Sequence, residues 1–104
     1  MVHPLFVRKN GRFVKIQLDD IQYAEAAGSY LKLVTHNDEF SLAQNLSQFI
    51  RKNPQTKMLR IHRSYLVNLD QIDSFDQSHI FIGSRELPIG ASYRSQFLKM
   101  IHCI

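Results

Sequence analysis

The residues best suited to binding chemistry lie in the stretch 62–68, where His62, Arg63 and Ser64 precede a short apolar run. A guanidinium and a hydroxyl offered together at the end of a strand can hold a phosphate or a base edge. No Asp or Glu occurs from residue 40 to residue 69, and this range contains the cations Arg51, Lys52, Lys57, Arg60 and Arg63. An anionic partner can therefore approach this segment without repulsion from neighbouring residues.

Length and composition indicate one ordinary globular domain spanning residues 1–104. Hydrophobic residues make up 44% of the chain and charged residues 21%, which suits a single modest core and argues against disorder. The net charge of +4 is only mildly basic. Its distribution is more informative, because acids and cations are segregated along the chain. That pattern suggests one basic face, although three solvated acidic turns would produce it as well.

Several function classes are disfavoured by what the residues lack. The single Cys103 excludes an internal disulfide and fits a reducing cytoplasm, and no apolar run approaches the roughly 18 residues of a membrane span. The five histidines show no metal-ligand spacing, and no glycine-rich phosphate loop occurs. His62 and Ser64 are too close in sequence to form a catalytic pair. We therefore expect a cytoplasmic binding protein without a metal, a cofactor or enzymatic activity.

Short strands dominate the sequence pattern. Asn10-Gly11 predicts a tight hairpin that joins strands at residues 5–9 and 12–18. Alternation of apolar and polar residues predicts further strands at 30–35, 39–41, 58–62, 72–75, 79–82 and 86–89. In the strand at 58–62 this alternation points Arg60 and His62 outward.

Two segments have helical spacing instead. The first, residues 42–52, is predicted to begin at a capping box of Ser41 and Gln44 and to stop before Pro54. The second is an apolar stripe assigned to the core, made of Tyr93, Phe97, Met100, Ile101 and Ile104. The fold class predicted from these patterns is mostly β, with two short helices packed on the sheets.

Three blocks of the sequence together resemble a known family. They are residues 21–33 (IQYAEAAGSYLKL), residues 59–69 (LRIHRSYLVNL) and Leu87-Pro88-Ile89 before a terminal helix. In this order and spacing they are similar to the LytTR DNA-binding domain, over residues 13–101. The resemblance implies an elongated arrangement of small antiparallel β-sheets, with loops from one edge entering the grooves of double-stranded DNA.

The resemblance also implies a biological context, the output domain of a two-component response regulator of the LytR/AlgR group. In that group an N-terminal receiver domain, phosphorylated through a sensor kinase, promotes pairing on tandem DNA repeats. No receiver is present in these 104 residues, so either they are an excised output domain or the protein works alone. The partner that the resemblance implies is DNA with tandem half-sites, bound by a possible dimer.

Carried over to this sequence, the resemblance predicts DNA contacts from three loops. The first loop holds Ser29 and Tyr30, followed by Lys32; the second holds His62, Arg63 and Ser64, preceded by Arg60; the third holds Ser92 and Arg94. Arg63 is the best candidate for reading a base, and Lys32 and Ser64 suit phosphate. His62 suits a structural role equally well. The third loop departs from the family, which commonly has Ser-Arg where this chain has Gly90-Ala91, and Arg94 is the candidate replacement cation.

Two other classes of binding protein stay open beside the DNA-binding interpretation. A protein-interaction module would add a partner strand to an open sheet edge. RNA binding ranks lower, because the sheets are not expected to expose the aromatic pairs on which bases stack.

Overall fold

The computed structural model of the chain describes residues 4–54 and 56–103. Its strands are β1 (Leu5–Lys9), β2 (Arg12–Ile16), β3 (Ile21–Ala27), β4 (Tyr30–Thr35), β5 (Glu39–Leu42), β6 (Met58–His62), β7 (Tyr65–Asn68), β8 (Ser74–Phe75), β9 (His79–Ile82) and β10 (Arg85–Pro88). The helices are α1 (Leu46–Lys52) and α2 (Arg94–Lys99), with single 3-10 turns at Leu18–Asp20 and Leu69–Gln71. The described residues contain no helix of the length and apolarity needed to cross a membrane.

The strands form three antiparallel sheets. A central five-stranded sheet has the order β5-β4-β3-β7-β6, a hairpin pairs β1 with β2, and a smaller sheet has the order β10-β9-β8. The described residues span 44 × 31 × 26 Å along the principal axes. The prediction of a mostly β, elongated arrangement of small antiparallel sheets with two short helices is confirmed.

The central sheet separates two hydrophobic cores. Leu33 and Val34 are consecutive in β4 and both are buried, yet they belong to different cores because successive strand residues point to opposite faces. The Leu33 face packs against the β1–β2 hairpin and α1, and the Val34 face packs against the small sheet and α2. The central sheet is thus covered on both faces, which fixes where its loops can be exposed.

The β1–β2 hairpin follows the sequence prediction at its turn. Asn10 and Gly11 have φ values of 53° and 77°, as expected for a two-residue turn of this composition. The outer face of the hairpin carries Phe6 and Phe13, which are 52% and 69% exposed. The expectation that no sheet would expose a pair of aromatic side chains was therefore wrong for this hairpin.

Helix α1 begins four residues later than predicted. Its capping box is formed by Asn45 and Gln48, each side chain accepting from the other's backbone amide at 2.8 and 2.9 Å. The prediction of Ser41 and Gln44 as the box was wrong, because Leu42 still pairs with Leu31 as the last residue of β5. The end of the helix before Pro54 is confirmed.

The C-terminal segment is less regular than its apolar pattern predicted. Helix α2 ends at Lys99; Phe97 is fully buried against Phe75, and Met100 is 55% exposed. Assigning Met100 to the core was wrong, because it follows the last helical residue and its side chain lies at the surface. Ile104 lies outside the described residues.

Candidate nucleic-acid interface

The three loops predicted to face a partner meet at one end of the central sheet. The first loop is the β3–β4 turn, where Gly28 has a φ of +64° and precedes the exposed Ser29 and Tyr30. The second loop is the β6–β7 turn, and the third connects β10 to α2. We call this end of the molecule the loop edge, and it comprises residues 28–30, 62–64 and 90–94.

Main-chain hydrogen bonds join the three loops. The amide of Ala26, next to the first loop, donates to the carbonyl of Ser64 in the second, with 2.9 Å between N and O. The amide of Gly90 in the third loop donates to the carbonyl of Ile61 at 2.7 Å. The second loop is therefore tied to both of its neighbours through backbone atoms, which no pattern of residue types could reveal.

Arg63 occupies the tip of the second loop. Its side chain is exposed, and within the described residues it forms no ion pair and no side-chain hydrogen bond. The turn beneath it is ordered by His62, whose Nδ1 accepts the amide of Ser64 at 3.1 Å, so the neutral imidazole carries its proton on Nε2. The His62 ring also packs on Tyr65, with 5.6 Å between ring centroids. The structure thus gives His62 a structural contact and leaves Arg63 available to a partner.

Arg60 does not extend outward as strand alternation predicted. The β6–β7 register shifts between Arg60 and His62, and the Arg60 side chain turns back along the second loop. Its Nη2 donates to the carbonyl of Arg63 at 2.6 Å, its Nε to the carbonyl of His62 at 3.4 Å, and its Nη1 to Oγ of Ser47 at 3.3 Å. The half-buried guanidinium is therefore engaged by the protein itself.

Lys32 is held between two carboxylates. Its Nζ lies 3.7 Å from Oε1 of Glu25 and 3.5 Å from Oε1 of Glu39, and Glu25 also accepts a hydrogen bond from the Tyr65 hydroxyl at 3.1 Å. Burial, followed by the hydrogen bond to Glu25, raises the pKa of Tyr65 above its ordinary value of 10.0. The charge on Lys32 is thus largely balanced, unlike that on Arg63.

The third loop contributes Ser92 and Arg94. Ser92 is exposed, whereas Arg94 is half-buried and directs Nη1 to the carbonyls of Asp76, at 3.2 Å, and Gln77. These carbonyls belong to the β8–β9 turn, so Arg94 connects the third loop to the small sheet. Its remaining guanidinium donors are not used by these two bonds.

The charge at the loop edge is cationic. Arg60, Arg63 and Arg94 form no ion pair with any carboxylate of residues 4–54 and 56–103. Cations elsewhere do, among them Lys9 with Asp38, Lys57 with Asp70 and Arg85 with Glu39. The Lys9 hydrogen bond to Asp38 lowers the pKa of that carboxyl, consistent with full pairing. Not every cation elsewhere is paired: Arg8, Arg12 and Arg51 also form no ion pair among the described residues. The loop edge therefore carries part of the uncompensated guanidinium charge of the domain.

Asn68 is a structural residue that lies outside the loop edge. It is buried at the end of β7 opposite to the second loop, where Nδ2 donates to the carbonyls of Ile21 at 2.8 Å and Asp19 at 3.3 Å. Its Oδ1 accepts the amide of Asp70 at 3.0 Å. It therefore fixes the entry to β3 and the turn after β7 and has no direct bond to the Arg63 loop.

Other chemistry finds little support in this geometry. Within the part of the chain that the structure describes, no three His, Cys, Asp or Glu side chains come together as a metal site. His79 does lie near acidic groups, 3.8 Å from Oε1 of Glu86 and 2.8 Å from Oγ of Ser78, but on the exposed surface of the small sheet.

Comparison with known proteins relates the chain to DNA-binding regulators by sequence. The family model described as LytTr DNA-binding domain matches residues 11–102. The transcriptional regulatory protein YpdB of Escherichia coli K12 is 28% identical over 101 residues, covering 90% of this chain and 41% of that protein. The sensory transduction protein LytT of Bacillus subtilis is 24% identical over 107 residues, covering 96% of this chain and 44% of that protein.

The fold has a solved counterpart. It is the LytTr DNA-binding domain of a putative methyl-accepting/DNA response regulator from Bacillus cereus, with a TM-score of 0.80 and 19% identity over 93% of this chain and 94% of that one. The chain spans about two fifths of the length of the curated relatives it matches. The family match extends over nearly the whole chain, and the chain belongs to the LytTR family of DNA-binding domains.

Proposed function

We propose that this domain binds double-stranded DNA in a sequence-specific manner through the loop edge. The observation that carries the proposal is Arg63, an exposed guanidinium without a carboxylate partner among the described residues, at the tip of a turn fixed by its neighbours. Such a group can donate two hydrogen bonds to O6 and N7 of guanine, worth about 1–3 kcal/mol of discrimination between bases.

The remaining residues of the loop edge are proposed to position the domain on the backbone. The exposed Ser29, Tyr30 and Ser92 and the half-buried Ser64 carry hydroxyls that can donate to phosphate oxygens. Arg94 adds a cation near Ser92. Its hydrogen bond to the carbonyl of Asp76 in the β8–β9 turn holds the guanidinium in place. Contacts of this kind set orientation and carry no sequence information by themselves.

The biological context is proposed from the relatives. LytT is named a sensory transduction protein, YpdB a transcriptional regulatory protein, and the structural neighbour belongs to a response regulator. We infer that this domain serves as the output part of a cytoplasmic two-component regulator, controlled by a receiver domain and a sensor kinase. Pairing of two domains on tandem half-sites completes this proposal.

The test begins with selection of binding sites from a random duplex pool. Fluorescence anisotropy on the selected duplex and on a scrambled one, across a salt series, then gives the discrimination ratio. Arg63→Ala is expected to reduce that ratio by about 5–150-fold, which corresponds to about 1–3 kcal/mol. Arg12→Ala is the matched control, because Arg12 is an exposed arginine beside the hairpin turn, away from the loop edge.

Three results would oppose the proposal. Equal losses on both duplexes for Arg63→Ala would remove its base-reading role. A wild-type domain that selects no duplex and binds DNA without salt dependence would favour the protein-interaction interpretation. Because Phe6 and Phe13 are exposed, a single-stranded RNA competitor belongs in the same experiment. Preferential competition by RNA would favour that class instead.

A further inference from the structure

The Arg60 guanidinium contacts three separate parts of the protein near the tip of the second loop. Its nitrogens donate hydrogen bonds to the carbonyls of His62 and Arg63 and to the hydroxyl of Ser47, which lies in the first turn of α1. The bond from Nη2 to the carbonyl of Arg63 is short at 2.6 Å, and hydrogen bonds from a charged donor are roughly twice as strong as neutral ones. One side chain thus links the loop tip to the body of the domain.

The acceptor of the shortest bond matters most, because it is the main chain of Arg63 itself. Holding that carbonyl fixes the peptide plane after Arg63, and the peptide plane fixes the direction in which the Arg63 side chain leaves the loop. The Arg63 side chain itself forms no hydrogen bond within the described residues. A base contact depends on this direction, since recognition groups must be held to within about 0.5 Å by their supporting residues.

Arginine is required for this arrangement and lysine is a poor substitute. The guanidinium presents donors in a fixed plane that reaches all three acceptors, whereas an ammonium is a single point from which only one or two can be reached. The charge would be kept by lysine and the geometry would be lost. This difference separates a positioning role from a direct contact with phosphate, for which either cation serves.

We propose that Arg60 is a positioning residue of the DNA interface. It sets the direction of the Arg63 side chain by donating hydrogen bonds to the carbonyls of His62 and Arg63. It acts through Arg63 and makes no contact with a base. This inference depends on the proposed function, in which Arg63 reads the sequence.

The decisive variant is Arg60→Lys, measured on the selected and the scrambled duplex. Positioning predicts about a tenfold loss of discrimination, with the binding of scrambled DNA and the salt slope both unchanged because the charge remains. In an Arg63→Ala background, Arg60→Lys should cause no further loss, because its effect passes through a side chain that is no longer there. Ser47→Ala, which removes one acceptor only, should give a smaller loss and guards against a folding defect in the lysine variant.

Opposite results would overturn the inference. If Arg60→Lys discriminates as well as wild type, or if its loss adds fully to that of Arg63→Ala, Arg60 acts on its own. If Arg60→Gln weakens both duplexes equally and lowers the salt slope by about 0.9, Arg60 is a phosphate contact.

A readout without DNA separates this inference from the proposed function. The amide of Ser64 donates to Nδ1 of His62 within the β6–β7 turn that Arg60 contacts. Its hydrogen exchange should be faster in Arg60→Lys than in wild type. Unchanged exchange would overturn the positioning role of Arg60 even if DNA binding were established. Faster exchange in a domain that selects no duplex would support this positioning role and refute the proposed function.

Discussion

The amide of Gly90 donates to the carbonyl of Ile61 with 2.7 Å between N and O, and this bond joins the third loop to the second. Ile61 is fully buried at the register shift of β6, so its carbonyl is directed away from the regular ladder and toward the loop. Gly90 lies close against this strand, where an added Cβ would be 3.6 Å from Cα of His62. The second and third loops of the loop edge are therefore joined directly by a backbone hydrogen bond.

Gly90→Pro tests that contact directly. Proline removes the amide donor and leaves the carbonyl of Ile61 without its partner, so the free energy of unfolding should fall by about 1–3 kcal/mol. Equilibrium unfolding in guanidinium chloride measures this change in the free energy of unfolding. Gly90→Ala is the control, because it keeps the amide and requires only that the Tyr93 ring, 3.0 Å from the new Cβ, give way slightly. Equal destabilisation by both variants would show that the hydrogen bond is not the cause.

Lys32→Ala should weaken binding to selected and scrambled duplexes to the same extent. The reason is that a lysine contact to a phosphate is independent of the base sequence. Since Glu25 and Glu39 already balance its charge, we expect the salt slope to fall by less than about 0.9, the value for a full phosphate contact. Glu39→Gln should strengthen binding to both duplexes. A change in discrimination for Lys32→Ala would contradict this view of the residue.

Asn68→Ala should reduce the free energy of unfolding by about 2–3 kcal/mol. The substitution leaves the buried carbonyl of Ile21 and the partly buried amide of Asp70 without their side-chain partners. Urea unfolding provides the measurement, and Asn37→Ala, at an exposed asparagine, should change stability by no more than about 0.5 kcal/mol. DNA discrimination should be unaffected where Asn68→Ala remains folded; a loss there would mean that Asn68 does support the Arg63 loop.

Stability should decline at alkaline pH in a way that depends on Tyr65. Burial and the hydrogen bond to Glu25 raise its pKa above 10.0, so the folded state favours the neutral phenol. The resulting stabilisation is complete below about pH 10 and is lost as the pH rises through the higher folded pKa. Tyr65→Phe lacks this group and should lose stability less steeply from pH 9 to about pH 11.

Denaturant unfolding at a series of pH values tests this expectation. The matched control is Tyr30→Phe, at an exposed tyrosine of the first loop, which should follow the wild-type curve at every pH. If Tyr65→Phe and wild type declined in parallel, the coupling of Tyr65 to Glu25 would not govern alkaline stability.

The sequence predicted strands best where apolar and polar residues alternate. β4 and β6 each contain such a stretch, at residues 31–33 and 59–62, and were predicted with their observed bounds. β3 and β7 lie at the centre of the sheet, where Tyr23 and Ala24, and likewise Leu66 and Val67, are consecutive and buried. Burial on both faces removes the alternation on which strand prediction depends, so these two strands were not predicted.

The loops of the candidate site were identified through the family resemblance, but the surroundings of their side chains were not. Arg60 was expected to point outward like His62, and two of its three acceptors are backbone carbonyls, which every sequence contains. The pairing of Lys32 with Glu25 was accessible in principle, since the two-residue turn after Ala27 places them opposite each other. That inference first required recognising β3 as a strand.

The bonds that join the three loops run from the amides of Ala26 and Gly90 to the carbonyls of Ser64 and Ile61, and no side chain takes part in them. Replacing Ser29, Arg63 or Ser92 therefore leaves every junction intact. Under the proposed function, a library randomised at these three positions should yield domains with altered operator preference and the same loop framework, which would suit the design of regulators with new targets.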